Sequence, residues 1–128
     1  MKQMEKYFRA LADINRLRII NLLLHGELCG CDIQRVLDTA QPNVSRHLNY
    51  LKNSGLVRDR RDGYRVFYRL LQPAPRALEA LFGYLRQTFA AEEELRRDLQ
   101  KLRQAVANGA CSTAIPQEEN QPCPTPLS

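Results

Sequence analysis

The stretch Ala40-Gln41-Pro42-Asn43-Val44-Ser45-Arg46-His47-Leu48-Asn49-Tyr50-Leu51-Lys52-Asn53-Ser54-Gly55-Leu56-Val57 decides the fold, together with the run it feeds into, Arg58-Asp59-Arg60-Arg61-Asp62-Gly63-Tyr64-Arg65-Val66-Phe67-Tyr68-Arg69-Leu70. Val44, Leu48 and Leu51 recur at helical spacing, so residues 41–54 read as a helix with one apolar stripe. Pro42 is tolerated in the first turn, where backbone amides have no intrahelical partner. Gly55 ends the helix. Residues 56–70 then switch to strand chemistry. Asp62-Gly63 is a tight-turn pair, and beyond it Tyr64, Val66, Tyr68 and Leu70 alternate with Arg65, Phe67 and Arg69.

Upstream, Ile33, Val36 and Leu37 mark a short helix broken by Asp38-Thr39-Ala40. Before it, Ile14, Leu17, Ile20 and Leu24 share a helical face behind Asp13, a good N-cap, and His25-Gly26 ends that segment. Met4, Tyr7, Phe8 and Leu11 mark a first helix over residues 2–12. Downstream of Pro73 and Pro75, the positions Leu78, Leu81, Leu85, Leu95, Leu99, Leu102 and Val106 predict one long helix over 76–106. Their alternating three–four spacing, with Thr88 and Glu92 filling the gaps, suits helix–helix packing between subunits. A helix of that length outruns so small a core, so a dimer is expected over packing within one subunit. Two short helices, a tight break, a second helix and a basic hairpin give a mainly α chain with a β-hairpin wing, in winged helix–turn–helix order. Residues 1–106 form this DNA-binding and dimerisation domain. Residues 107–128, with four of the seven prolines, read as a flexible tail.

Charge points to the partner. The 128 residues carry 19 Lys and Arg against 14 Asp and Glu, but residues 1–104 hold all the bases and only 12 of the acids, an excess of +7. A basic folded part suits a polyanion, nucleic acid above all. With Val44, Leu48 and Leu51 inward, Asn43, Arg46, Asn49 and Tyr50 point outward, flanked by Gln41 and Ser45. Arg, Asn and Gln are the side chains that make bidentate contacts to base edges. The hairpin sets Arg58, Arg60, Arg61, Arg65 and Arg69 against only Asp59 and Asp62. Its tip can reach a neighbouring minor groove or phosphates. Either feature alone is as well explained by a solvated surface; their adjacency favours DNA. Tyr64 either binds a phosphate or braces the turn, and His47 either binds a phosphate or makes a structural hydrogen bond.

The four cysteines are Cys29, Cys31, Cys111 and Cys123. No stretch reads as a signal peptide or membrane span, so a cytoplasmic chain with reduced thiols is expected, without membrane attachment and without two disulfides. Cys29 and Cys31 stand at the entry to the helix bearing Ile33. Asp32 favours a helix start near Cys31, which would raise the thiolate fraction. Two thiolates do not complete a structural zinc site. A soft ion of low coordination number fits better, with trivalent arsenic or antimony the leading candidates. A redox-active dithiol or two ordinary buried cysteines are the alternatives.

Glu27-Leu28-Cys29-Gly30-Cys31-Asp32-Ile33 resembles the metalloid-binding motif of arsenic-responsive repressors in the ArsR/SmtB family. Ala40 to Leu48, with Leu51 and Ser54-Gly55-Leu56-Val57, resembles that family's recognition helix and its exit. Arg60-Arg61-Asp62-Gly63 and Val66-Phe67-Tyr68-Arg69-Leu70 resemble its wing. The resemblance, over residues 5–85, implies a homodimer formed through the first and last helices that binds a double-stranded inverted-repeat operator and releases it when the metalloid binds. It carries DNA contacts onto Gln41, Ser45, Arg46 and His47 and onto the wing arginines. With the outward-facing Asn43 and the wing residues Arg60, Arg61, Tyr64 and Arg65, these form the expected DNA-binding set. Cys29 and Cys31 are the expected ligands.

Gln34 stands where such sensors often carry a third cysteine, so a third thiolate would have to come from Cys111 or Cys123; those two could equally be idle. Ala40 replaces a common capping Ser, leaving Thr39 as a substitute. Residues 76–106 contain no His, so the zinc site found on the last helix of other members is not expected. The sequence thus predicts a metalloid-responsive transcriptional repressor, with no enzymatic role and no organic cofactor. A thiol-oxidation sensor or another soft-metal sensor is the alternative.

Overall fold

The computed structural model describes residues 1–109. The chain runs α1 (Lys2–Leu11), α2 (Ile14–Leu23), β1 (Leu28–Cys29), α3 (Gly30–Leu37), α4 (Gln41–Asn53), β2 (Val57–Asp62), β3 (Arg65–Leu70), α5 (Arg76–Phe89) and α6 (Glu93–Ala107). It is the expected mainly α fold with a β-hairpin wing. The tail, with Cys111 and Cys123, lies outside the described residues.

Local signals act where the sequence places them. Asp13 is extended and its carboxylate accepts from the Asn15 and Arg16 amides, capping α2. Asp38 takes a left-handed conformation, φ 54°, and turns the chain sharply between α3 and α4. Val44, Leu48 and Leu51 are all buried. Gly55, at φ 87°, carries the chain out of α4. Ala40 is the N-cap of α4 and supplies no side-chain bond; Thr39 does not replace it, accepting instead from the Asn43 side chain at 3.5 Å.

The wing differs from expectation by one residue. Asp62 pairs with Arg65, so the two turn residues are Gly63 and Tyr64 rather than a turn centred on Asp62-Gly63. Gly63 has φ 70° at the first turn position, where a side chain would be strained. A strand unforeseen in the sequence, β1, adds Leu28 and Cys29 to the hairpin, giving the antiparallel order β1-β3-β2. Leu28 pairs with Tyr68 and Cys29 with Phe67. The arginine-bearing face of β3 therefore also holds buried Phe67, which lies beneath the Arg60 guanidinium at 4.6 Å.

Helix α2 does not show the single stripe read from Ile14, Leu17, Ile20 and Leu24. Ile19 to Leu23 are buried consecutively, while Ile14 is 55% exposed. The helix is covered on several sides because α1, α3, α4, α5 and α6 all contact it.

The single helix over 76–106 is corrected to two. The chain turns at Ala90-Ala91-Glu92, and α6 folds back on α2 and α3. Leu78, Phe82, Leu85 and Phe89 of α5, with Leu95 and Leu102 of α6, are buried in this subunit's own core. No Gly or Pro marks the break. Packing imposes it, since a straight helix would strand Leu95 and Leu102 away from that core. Polar contacts secure the fold-back. Arg18 donates to both Asp98 carboxylate oxygens at 2.8 and 3.0 Å, Asn21 donates to the Leu95 carbonyl at 3.1 Å, and Lys101 donates to the Val36 carbonyl at 3.2 Å.

Replacing Asp98, which is 2% exposed, leaves Arg18 facing a site built for a carboxylate. Asp98→Ala is expected to cost about 3 kcal/mol, read as a lower urea midpoint at an unchanged denaturant slope.

Candidate functional site

The outer face of α4 follows from its inner stripe. Gln41, Ser45 and Arg46 are exposed, Asn43 is half-buried, and the Arg46 guanidinium donates to the Asn43 side-chain oxygen Oδ1. His47 faces inward. Its Nδ1 lies 3.2 Å from Nη1 of Arg16 and its Nε2 3.9 Å from Asp13. Arg16 donates to the Ala10 carbonyl at 2.6 Å and stacks 4.1 Å from the Tyr50 ring. Burial raises the Asp13 carboxyl pKa, but the Arg16 and Asn15 amides and nearby positive charge outweigh it and hold the group below its ordinary value. His47 and Tyr50 therefore brace α4 against the start of α2. Of the two roles read for His47, this placement matches the structural one.

The wing arginines are not equivalent. Arg60 makes a bidentate pair with Glu27, at 2.8 and 2.9 Å, while stacking on Phe67. Arg61 is exposed, Tyr64 is 74% exposed at the tip, and Arg65 is half-buried beside it. The Glu27–Arg60 clasp was not visible in the sequence, because its partners lie 33 residues apart.

The two cysteines are brought together by a change of backbone state between them. Cys29 is extended, paired in β1 and forming the N-cap of α3, while Cys31 lies in the helix's first turn. Their sulfurs are 2.8 Å apart. Gly30 permits this, since a Cβ there would meet the Tyr68 ring at 3.2 Å. Cys29 is buried and Cys31 half-buried. The Cys31 thiol donating to the Cys29 sulfur favours a Cys29 thiolate; with help from the Cys31 and Asp32 amides it overcomes burial and lowers the Cys29 pKa to about 7. The same bond, burial and the Asp32 carboxylate push Cys31 upward. The contact thus favours the thiolate at Cys29 over that at Cys31. Among the described residues no group of three or more His, Cys, Asp or Glu could hold a metal ion.

A cavity of about 550 Å³ joins the two regions. Cys29 and Cys31 line it together with Gln41 and Ser45 at the start of α4 and Tyr64 and Arg65 of the wing. Tyr68, read in the sequence only as a wing-strand position, lines it too, as does Arg35, which carried no sequence signal. The thiol pair, the exposed start of α4 and the wing tip share one groove.

Alkylation of Cys29 by iodoacetamide should rise with pH through a midpoint near 7, below the range of an ordinary thiol. Cys31→Ser would keep a hydroxyl donor at that position, whereas Cys31→Ala should move the midpoint upward; both are read by peptide mass spectrometry.

Residues 13–59 match the family model described as bacterial regulatory protein, arsR family. The chain is 51% identical over 69 residues to the arsenical resistance operon repressor of Escherichia coli K12, covering 53% of this chain and 59% of that protein. It is 44% identical over 63 residues to the cadmium resistance transcriptional regulatory protein CadC of Listeria innocua, covering 48% and 53%. The chain thus spans little more than half the length of these curated relatives. Among solved structures, it resembles the homodimeric winged helix–turn–helix DNA-binding domain of a possible ArsR-family transcriptional regulator from Mycobacterium bovis. The identity is 32% and the TM-score 0.59, over 68% of this chain and 78% of that one. With the motif, the wing and the fold in agreement, this chain belongs to the arsR family of bacterial regulatory proteins.

Proposed function

We propose that this protein is a transcriptional repressor of a metal or metalloid resistance operon, released from its operator when trivalent arsenic or antimony binds Cys29 and Cys31. The observation that carries this reading is the 2.8 Å sulfur pair opening into the groove that also holds the start of the recognition helix. Similarity to the E. coli arsenical resistance operon repressor supports arsenic, and similarity to the Listeria cadmium resistance regulator keeps cadmium in view. A third thiolate is not required by this reading; if one is used, Cys111 and Cys123 are the candidates. The reading assigns no catalysis and no organic cofactor. It takes the chain as cytoplasmic, where thiols stay reduced; no described helix is long and apolar enough to cross a membrane.

DNA reading falls to Gln41, Asn43, Ser45 and Arg46, with Arg61, Tyr64 and Arg65 of the wing; His47 and Arg60 support them from behind. Closing Cys29 and Cys31 on one ion re-sets the start of α3. That helix packs on α4, so the recognition helix shifts with it. Release requires only that the ion bind the DNA-free shape more tightly. The double substitution of Cys29 and Cys31 by Ser should keep operator affinity within about twofold and abolish release by arsenite in fluorescence anisotropy. Retained release would overturn the thiol assignment.

The operator would be met by a homodimer. Met4 and Phe8 on α1, Ile14 on α2 and Tyr84 on α5 are large apolar side chains left 45 to 62% exposed. Such residues on the first helix and in the C-terminal segment suit a self-complementary interface. The M. bovis neighbour is described as homodimeric. Phe8→Glu should give a monomer in sedimentation and lower operator affinity at least tenfold, because two half-sites are no longer held together.

A second reading rests on the same sulfurs. At 2.8 Å they can form a disulfide, two thiols giving two electrons and two protons to a peroxide, which leaves as alcohol and water. Release by peroxide in metal-free buffer would favour it over metalloid sensing.

A further inference from the structure

The cavity beneath the thiols lies between two elements that would enter different grooves of DNA. One wall is the start of α4, with Gln41 and Ser45; the other is the wing, with Tyr64 and Arg65. A recognition helix in the major groove and a wing in the neighbouring minor groove straddle the sugar–phosphate strand that separates them. That strand must cross the space between helix and wing, and here that space is the cavity mouth. Its walls carry cations at the right places. Arg65 stands on the wing side. Arg35 rises from α3, the helix that crosses the backbone in this motif. One Nη of Arg35 lies 3.4 Å from Asp32, and the side chain is still 40% exposed. A guanidinium has five donors, so this contact leaves others for a phosphate.

Resting on the DNA-binding reading above, we propose that a phosphodiester strand of the operator lies across this cavity, gripped by Arg35 and Arg65, so that DNA covers the Cys29–Cys31 mouth. DNA and the thiol ligand then exclude one another. The inducer binds protein between operator encounters, and the shift of α3 and α4 described above then keeps that protein from rebinding, so the operator is released at equilibrium. Arg35 becomes a phosphate contact outside both the recognition helix and the wing.

The test uses the full chain and a duplex that the protein itself selects from a random pool. Saturation is checked by anisotropy. Iodoacetamide labelling of Cys29 and Cys31 is followed by peptide mass spectrometry. Saturating duplex is expected to slow labelling at least tenfold; an unchanged rate overturns the proposal. Arg35→Gln should weaken binding and reduce the slope of log affinity against log salt by about one per protomer, and an unchanged slope overturns the phosphate contact. Dissociation into excess competitor duplex should proceed at the same rate with and without arsenite, whereas acceleration by arsenite shows a ternary complex and overturns mutual exclusion. If no duplex is selected, the DNA-binding reading falls and takes this proposal with it. If duplex binds but arsenite has no effect on equilibrium binding, only the metalloid reading falls, and the labelling experiment still decides whether DNA covers the thiols.

Discussion

The structure is organised around the burial of α2. Five consecutive side chains, Ile19 to Leu23, are removed from water, so several sides of the helix must be covered by other elements. This demand explains the fold-back of α6, which a long uninterrupted helix could not provide. It also explains why Asn21 and Arg18 tolerate such a position. Each reaches a polar group on α6, Asn21 the Leu95 carbonyl and Arg18 the Asp98 carboxylate. A buried polar group without a partner is costly, so these contacts fix the α6 register as well as its proximity.

A second constraint joins the thiol segment to the wing. The pairing of Leu28–Cys29 with Phe67–Tyr68 ties the segment before α3 to the wing. It holds Cys29 extended while Cys31 is already helical, which brings the sulfurs together. It also aligns Cys29, Phe67 and Arg60 as neighbours across one sheet face, with Glu27 clasping the last of them. A change at the thiols therefore bears directly on the wing strand as well as on α4. Arg60, one of several wing arginines in the sequence, is distinguished by this role: its guanidinium is already committed to Glu27 and Phe67.

Much of the site was legible in the residues. The α4 stripe of Val44, Leu48 and Leu51 dictated which side chains face out, and the CxC pair stood out as a candidate soft-ion site, with a redox-active dithiol or two buried cysteines as the alternatives. The largest error, the single last helix, has a clear origin. The seam through Thr88 and Glu92 treated a break as continuity, since Ala90-Ala91-Glu92 contains no residue that terminates a helix. Phe82 and Phe89 fell outside that seam yet are buried. Helix periodicity reports which residues want cover and is silent on which element supplies it.

The sequence by itself determined the helix–turn–helix followed by a hairpin wing, the outward face of α4, the Asp13 cap, the glycine of the wing turn and the candidate thiol ligands. These depend on periodicity, backbone preference and side-chain chemistry acting over a few residues. Tertiary structure decided the rest: the turn between α5 and α6, the bracing of His47 by Arg16 across 31 residues, the capture of Arg60 by Glu27 across 33, and the Arg18–Asp98 pair across 80. It also placed the two thiols, the start of α4 and the wing tip around one cavity. The physical reason is that a charged or aromatic side chain has many possible partners in the chain, and only the packed fold determines which of them lies within reach.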